Sequence, residues 1–98
     1  MLQANLRPMP PAKNQITGLI LLSTSADNEG EAKLLQVLAP FTLEILEIQR
    51  IELRGRFVLG ALIAFDPAHA QAIEADLAQM SEETGIDVAI DYSEQADN

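Results

Sequence analysis

The residues of this 98-residue chain whose types could do chemistry are a knot of arginines, an acidic loop and one histidine. Arg50, Arg54 and Arg56 fall within seven positions around Gly55, between the apolar runs "LEILEI" and "FVLGALIAF". They are half of the six basic residues in a chain with fifteen acidic ones and a formal net charge of −9. A glycine flanked this way reads as a tight turn, because glycine tolerates positive φ. The arginines then stand on exposed turn positions, with Arg50 and Arg56 balancing Glu47 and Glu52.

The acidic loop "SADNEGE" could suggest a calcium site with Gly30 as the sixth loop residue. Its first and twelfth positions would then be Ser25 and Gln36, where acidic ligands are required. His69, the single histidine, has no cysteine to share a metal with and joins no Ser-His-Asp set. It reads as a surface residue. The chain has no glycine-rich phosphate loop. Glu74, Asp76, Glu82 and Glu83 read as a solvated helix face. No catalytic residue and no metal ligand is assigned.

Composition bounds the rest. Apolar residues make up 48% of the chain, enough for a single globular core. The absence of cysteine excludes disulfides and thiolate metal sites, and suits a cytoplasmic protein. A pI near 4.2 argues against nucleic acid, whose phosphates need a basic surface. No apolar run approaches the roughly 18–20 residues of a membrane span, so no membrane is expected as a partner.

Residues 1–14, with Pro8, Pro10 and Pro11, read as a flexible tail, and no apolar period appears in them. Ile16–Leu22 is an apolar run that reads as a strand, with Ser23–Asn28 as a loop. Leu34, Val37, Leu38 and Phe41 keep helical spacing; Asp27 or Asn28 would cap that helix and Pro40 would stop it. In "TLEILEIQRIEL" the alternation slips phase. A strand with one or two bulges explains the slip, and so does a helix from Thr42 to Arg54 ended by Gly55. Arg56–Phe65 predicts a strand apolar on both faces. Asp66 as N-cap, Pro67 at the first helical position and a terminal Gly85 frame a second helix. Its buried stripe is Ala70, Ile73, Leu77, Met80 and Thr84. Ile86, Val88, Ile90 and Tyr92 alternate with Asp87 and Asp91, as in a strand with one wet face.

The resulting order, β-α-β-β-α-β, predicts an α+β ferredoxin-like fold: a four-stranded antiparallel sheet with two helices on one face. Its usual strand order, 4-1-3-2, makes strands one and three central, and these are the two runs apolar on both faces. The domain spans 15–93, and 94–98 read as a linker or chain end.

The stretch Leu43–Ile63, with its Glu-Ile-Leu-Glu-Ile opening, Arg-Gly-Arg turn and following Leu-Gly, resembles the N-terminal ACT domain of bacterial, especially actinobacterial, phosphoserine phosphatases. The resemblance implies a regulatory domain that binds a small effector, such as L-serine, near the loop between the first strand and the first helix. In those phosphatases the loop usually reads Gly-Pro-Asp-Arg-Pro-Gly; here it reads Ser25-Ala26-Asp27-Asn28-Glu29-Gly30, in which Asp27 and Gly30 match. By position, Ser25, Asp27, Gly30 and Glu44 would line the ligand-binding site, where helix N–H groups favour a carboxylate. The phosphatase chemistry of such proteins uses an Asp-x-Asp nucleophile motif in a separate domain, where magnesium is implied. That motif is absent from this sequence, so no catalysis and no cofactor are expected of this chain. A homodimer through the sheet is expected, because the central strands carry more apolar surface than one layer of helices covers. The alternative reading is a free-standing dimerisation or protein-interaction module with no metabolite ligand.

Overall fold

The computed structural model describes residues 15–25 and 29–93. The tail of residues 1–14, the terminal 94–98, and Asp27 and Asn28 as caps lie outside the described residues. The elements run β1 (Ile16–Ser25), α1 (Gly30–Leu38), β2 (Leu43–Leu53), β3 (Arg56–Phe65), a 3-10 turn (Pro67–His69), α2 (Ala70–Thr84) and β4 (Asp87–Ser93). The sheet order is β2-β3-β1-β4, and every neighbouring pair is antiparallel. This is the expected ferredoxin-like arrangement, with β1 and β3 central.

Both helices pack on one sheet face. Leu34 and Leu38 from α1, and Ile73, Leu77 and Met80 from α2, share one core with Ile20, Leu22, Leu59, Ala61, Ile63, Phe65 and Ile86. Each fully buried aliphatic side chain of this kind contributes roughly 1.5–3 kcal/mol. The Phe65 ring meets the edge of Tyr92 at 6.0 Å. The Tyr92 hydroxyl lies 3.2 Å from both the Ala70 carbonyl and Glu74 Oε1, its two acceptors. Burial first, and the Glu74 charge second, push the phenol above its ordinary pKa.

The polar run Ser23–Ser25, expected as loop, continues β1 and pairs with Val58, Phe57 and Arg56. Thr24 is buried there. The β2–β3 hairpin supplies these partners, so the strand persists past its apolar residues. β2 is a strand with one bulge: Ile45 pairs with Ile63 and Glu47 with Leu62, leaving Leu46 as the extra residue. The bulge places Leu43, Ile45, Ile48 and Arg50 all toward the helices. At the hairpin, Arg54 (φ 52°) and Gly55 (φ 79°) are both left-handed. That is the signature of a two-residue type I′ turn, which matches the twist of its strands.

Candidate functional site

α1 and α2 begin differently. The chain enters α2 through the 3-10 turn Pro67–His69, which the extended Asp66 caps, its Oδ1 accepting from the Ala68 N–H at 2.9 Å with Pro67 next; His69, the residue before α2 itself, makes no side-chain cap bond. At α1 the cap residue is Glu29, in the left-handed region at φ 50° and ψ 43°, and it makes no side-chain cap bond. The cap position thus falls on Glu29, next to the expected Asp27 and Asn28, which lie outside the described residues. The first bond of α1 runs from the Lys33 N–H to the Glu29 carbonyl at 3.2 Å. The N–H groups of Gly30, Glu31 and Ala32 therefore have no acceptor within the helix.

Gly30 is buried, and a Cβ there would lie 2.8 Å from Leu22 Cδ2 and 3.1 Å from Thr24 Cγ2. Only glycine lets this helix start lie so close to β1. An open cleft of about 440 Å³ sits over it, lined by Glu29, Gly30, Glu31, Ala32, Leu35 and Phe57. Its floor offers helix N–H donors, its wall is apolar, and its rim is acidic.

Across the sheet edge, Arg50 Nε and Nη2 donate to Glu31 Oε1 and Oε2 at 2.5 and 2.6 Å. This two-pronged bond holds the Glu31 carboxyl below its ordinary pKa. It also corrects the expected pairing: Arg50 faces the helices, whereas Glu47 faces the other way and accepts from Gln49 Nε2. Arg56 Nη2 donates to Ser23 Oγ at 2.8 Å.

Of the residues assigned to the site from sequence, Gly30 lines the cleft. Ser25 ends β1 at the same end of the sheet, opposite Arg56. Asp27 lies outside the described residues. Glu44 does not join them within one chain. It pairs with Ala64, whose other neighbour is Thr17, so it stands at the opposite end of the sheet. From Thr17 to Ser25 is eight residues of strand, about 26 Å. The antiparallel course explains this: α1 carries the chain back down the sheet before β2 begins. Sequence reasoning did not find Phe57, Leu35 or the Glu31–Arg50 pair. Their signal is non-local, since Glu31 and Arg50 are 19 residues apart.

His69 is not simply a surface residue. It is half-buried beside the Phe41 ring, 6.0 Å between centroids, and its Nδ1 is buried. Among the described residues, no group of three or more His, Cys, Asp or Glu is placed to hold a metal ion. No helix among them is long and apolar enough to cross a membrane.

Comparison with known proteins follows the same lines. The sequence model of the ACT domain family matches residues 20–91. Phosphoserine phosphatase SerB2 of Mycobacterium tuberculosis is 33% identical over 87 residues, covering 86% of this chain and 20% of that protein. The chain thus spans about a fifth of the length of this curated relative. An ACT domain protein from Streptococcus pneumoniae superposes with a TM-score of 0.68 at 14% identity, over 79% of this chain and 89% of that one. An uncharacterised protein from Galdieria sulphuraria superposes with a TM-score of 0.72 at 20% identity, over 89% and 54%.

Proposed function

The chain belongs to the ACT domain family, and from that premise we propose that it senses an amino acid for a phosphoserine phosphatase-type protein. The observation that carries this reading is the open start of α1. A small zwitterion matches the cleft group by group. Its carboxylate takes the N–H groups of Gly30, Glu31 and Ala32, where the helix dipole favours an anion. Its ammonium takes the exposed Glu29, and a short side chain rests on Ala32, Leu35 and Phe57. L-serine fits that description, and the kinship to a phosphoserine phosphatase points to the same metabolite.

The chain itself performs no hydrolysis in this reading, because it lacks the Asp-x-Asp motif of phosphatase chemistry. Control of a catalytic domain elsewhere is its role. Self-association belongs to the proposal as well. β2 is an edge strand of 11 residues, and Leu35 and Ile45, both 39% exposed, open an apolar groove beside it with Phe41 and Leu43. Pairing of two β2 edges would continue the sheet across a dimer.

Titration with L-serine, followed by amide chemical shifts, tests the effector site. Saturable shifts at Ser25, Gly30–Ala32, Leu35 and Phe57, absent with the methyl ester that masks the carboxylate, are expected. Shifts confined to α2, or none at millimolar serine, would overturn the sensing role and leave an interaction module without a metabolite.

A further inference from the structure

The sheet face away from the helices differs in charge from one end to the other. At the hairpin end Arg56 stands between Leu53 and Ser25, and the next row sets Ile51 beside Val58. Gly60 and Leu21 share the third row. In the fourth, Leu62 and Leu19 stand between Glu47 and Asp91, and beyond it comes Glu44. Leu53, Ile51, Leu21, Leu19 and Val58 are 37–61% exposed, so the exposed large apolar side chains of the face all fall in these first four rows. The apolar centre therefore lies between the Val58 and Gly60 rows. Arg56 and Glu47 are exposed as well. Arg56 donates to Ser23 Oγ and meets no carboxylate among the described residues.

Such a face is complementary to itself under one axis and not under the other. Two sheets stack face to face about 10 Å apart. A two-fold axis along the strands keeps each row over itself and exchanges the edges, which sets Glu47 over the partner's Asp91; like charges so placed disfavour association. A two-fold axis across the strands, through the apolar centre, keeps each strand over itself and reverses the rows. Val58 then seats over the partner's Gly60, where no side chain fills the space. Arg56 lies over the partner's Leu62, with the partner's Glu47 on the adjoining strand, and Leu53 covers that same Glu47. On β4, Asp87 falls over the partner's Ala89 and Asp91 falls past the start of the partner's strand, so no acidic residue of the four rows meets another. Four strands about 4.8 Å apart and four rows about 6.7 Å apart span roughly 500 Å² on each copy, about 1,000 Å² for the pair, which reaches the lower bound of a specific interface.

We propose that two copies of the chain stack through this face about a two-fold axis that crosses the strands between Val58 and Gly60, with each Arg56 set against the partner's Glu47. The contact leaves the β2 edge and the α1 cleft free, so it stands whether or not an effector binds.

Sedimentation across serial dilution reads the association, and the amide spectrum of each variant checks that it is folded. A reversible equilibrium between monomer and dimer is expected. Arg56→Glu or Glu47→Arg alone should weaken it about tenfold, and the two together should restore it, since each exchange turns two attractions across the interface into repulsions. In a mixture of isotope-labelled and unlabelled chains, methyl contacts between Leu53 and Leu62 should run from one chain to the other. Within one chain those two side chains stand three rows apart, roughly 20 Å. A strict monomer at millimolar concentration would overturn the proposal. So would an association that the double exchange fails to restore. Association that Leu21→Asn leaves unchanged, with shifts gathered along Leu43–Leu53, would equally overturn it and assign the pairing to the β2 edge alone.

Discussion

The two helix starts solve one problem in opposite ways. The 3-10 turn that leads into α2 is closed locally, by the Asp66 carboxylate on the Ala68 N–H and by Pro67. α1 is held from outside, by Gly30 pressed onto Leu22 and Thr24 and by Glu31 tied to Arg50. A helix start that satisfies itself has nothing left to offer a ligand. One that tertiary packing holds in place keeps its donors, and the cleft forms over the second kind. The left-handed Glu29 belongs to the same trade, since this conformation costs a bulky residue roughly 1–2 kcal/mol.

The contrast breaks most visibly at Gly30. Gly30→Val should destabilise the fold by about 1–3 kcal/mol in urea unfolding, because the added carbons enter a filled space. An unchanged midpoint would mean that packing does not set the start of α1. Asp66→Ala should remove about 1 kcal/mol through loss of the side-chain cap. If Glu29→Ala proved equally destabilising, Glu29 would be a cap in effect and the difference between the starts would vanish. Glu29→Gly, by contrast, should raise stability by up to about 1 kcal/mol, because relief of the left-handed conformation, roughly 1–2 kcal/mol, exceeds the roughly 0.4–1 kcal/mol that glycine's unfolded-state freedom costs; a loss would show that the Glu29 side chain holds the start after all.

The smallest effect concerns Glu31 and pH. Its folded pKa is lowered from 4.5, so its contribution is present above that value and is lost as pH falls through the lower folded value. In acid unfolding curves, Glu31→Gln should flatten the stability profile below about pH 4.5. The exposed pair is screened by salt, so the difference should shrink at 1 M NaCl. An unaltered acid limb would remove Glu31 from the forces that hold α1.

How far the sequence discloses this molecule depends on how local each determinant is. Asp66, Pro67 and Gly85 frame α2 within their own turns, and Gly85 ends it at φ 78° with its N–H on the Ser81 carbonyl. The alternation of Ile86 to Tyr92 and the two-sided apolar runs of β1 and β3 fix the sheet order. Gly55 reveals its hairpin for the same reason, although the left-handed Arg54 beside it carries no sequence signal. Ser23–Ser25 were not legible as strand, because their partners lie over thirty residues away. Nor was the fork from Arg50 to Glu31, since the side to which Arg50 points depends on a bulge four residues earlier. Glu44 shows the limit of transferring positions by motif. A short stretch in register with a family says which residue corresponds, and the course of the chain decides what it is near.

The bulge at Leu46 gives β2 something like a reading frame. Before it, odd-numbered residues face the helices; after it, even-numbered ones do. Loss of Leu46 would merge the two frames into one unbroken alternation, with Leu43, Ile45, Ile48 and Arg50 still on their present side. Loss of Gln49, three positions on, would put Arg50 out of phase and turn it from Glu31 toward the open face. The strand is thus unequally tolerant of length change along its course: one position absorbs a deletion silently, and its neighbours convert the same deletion into an exchange of inside for outside.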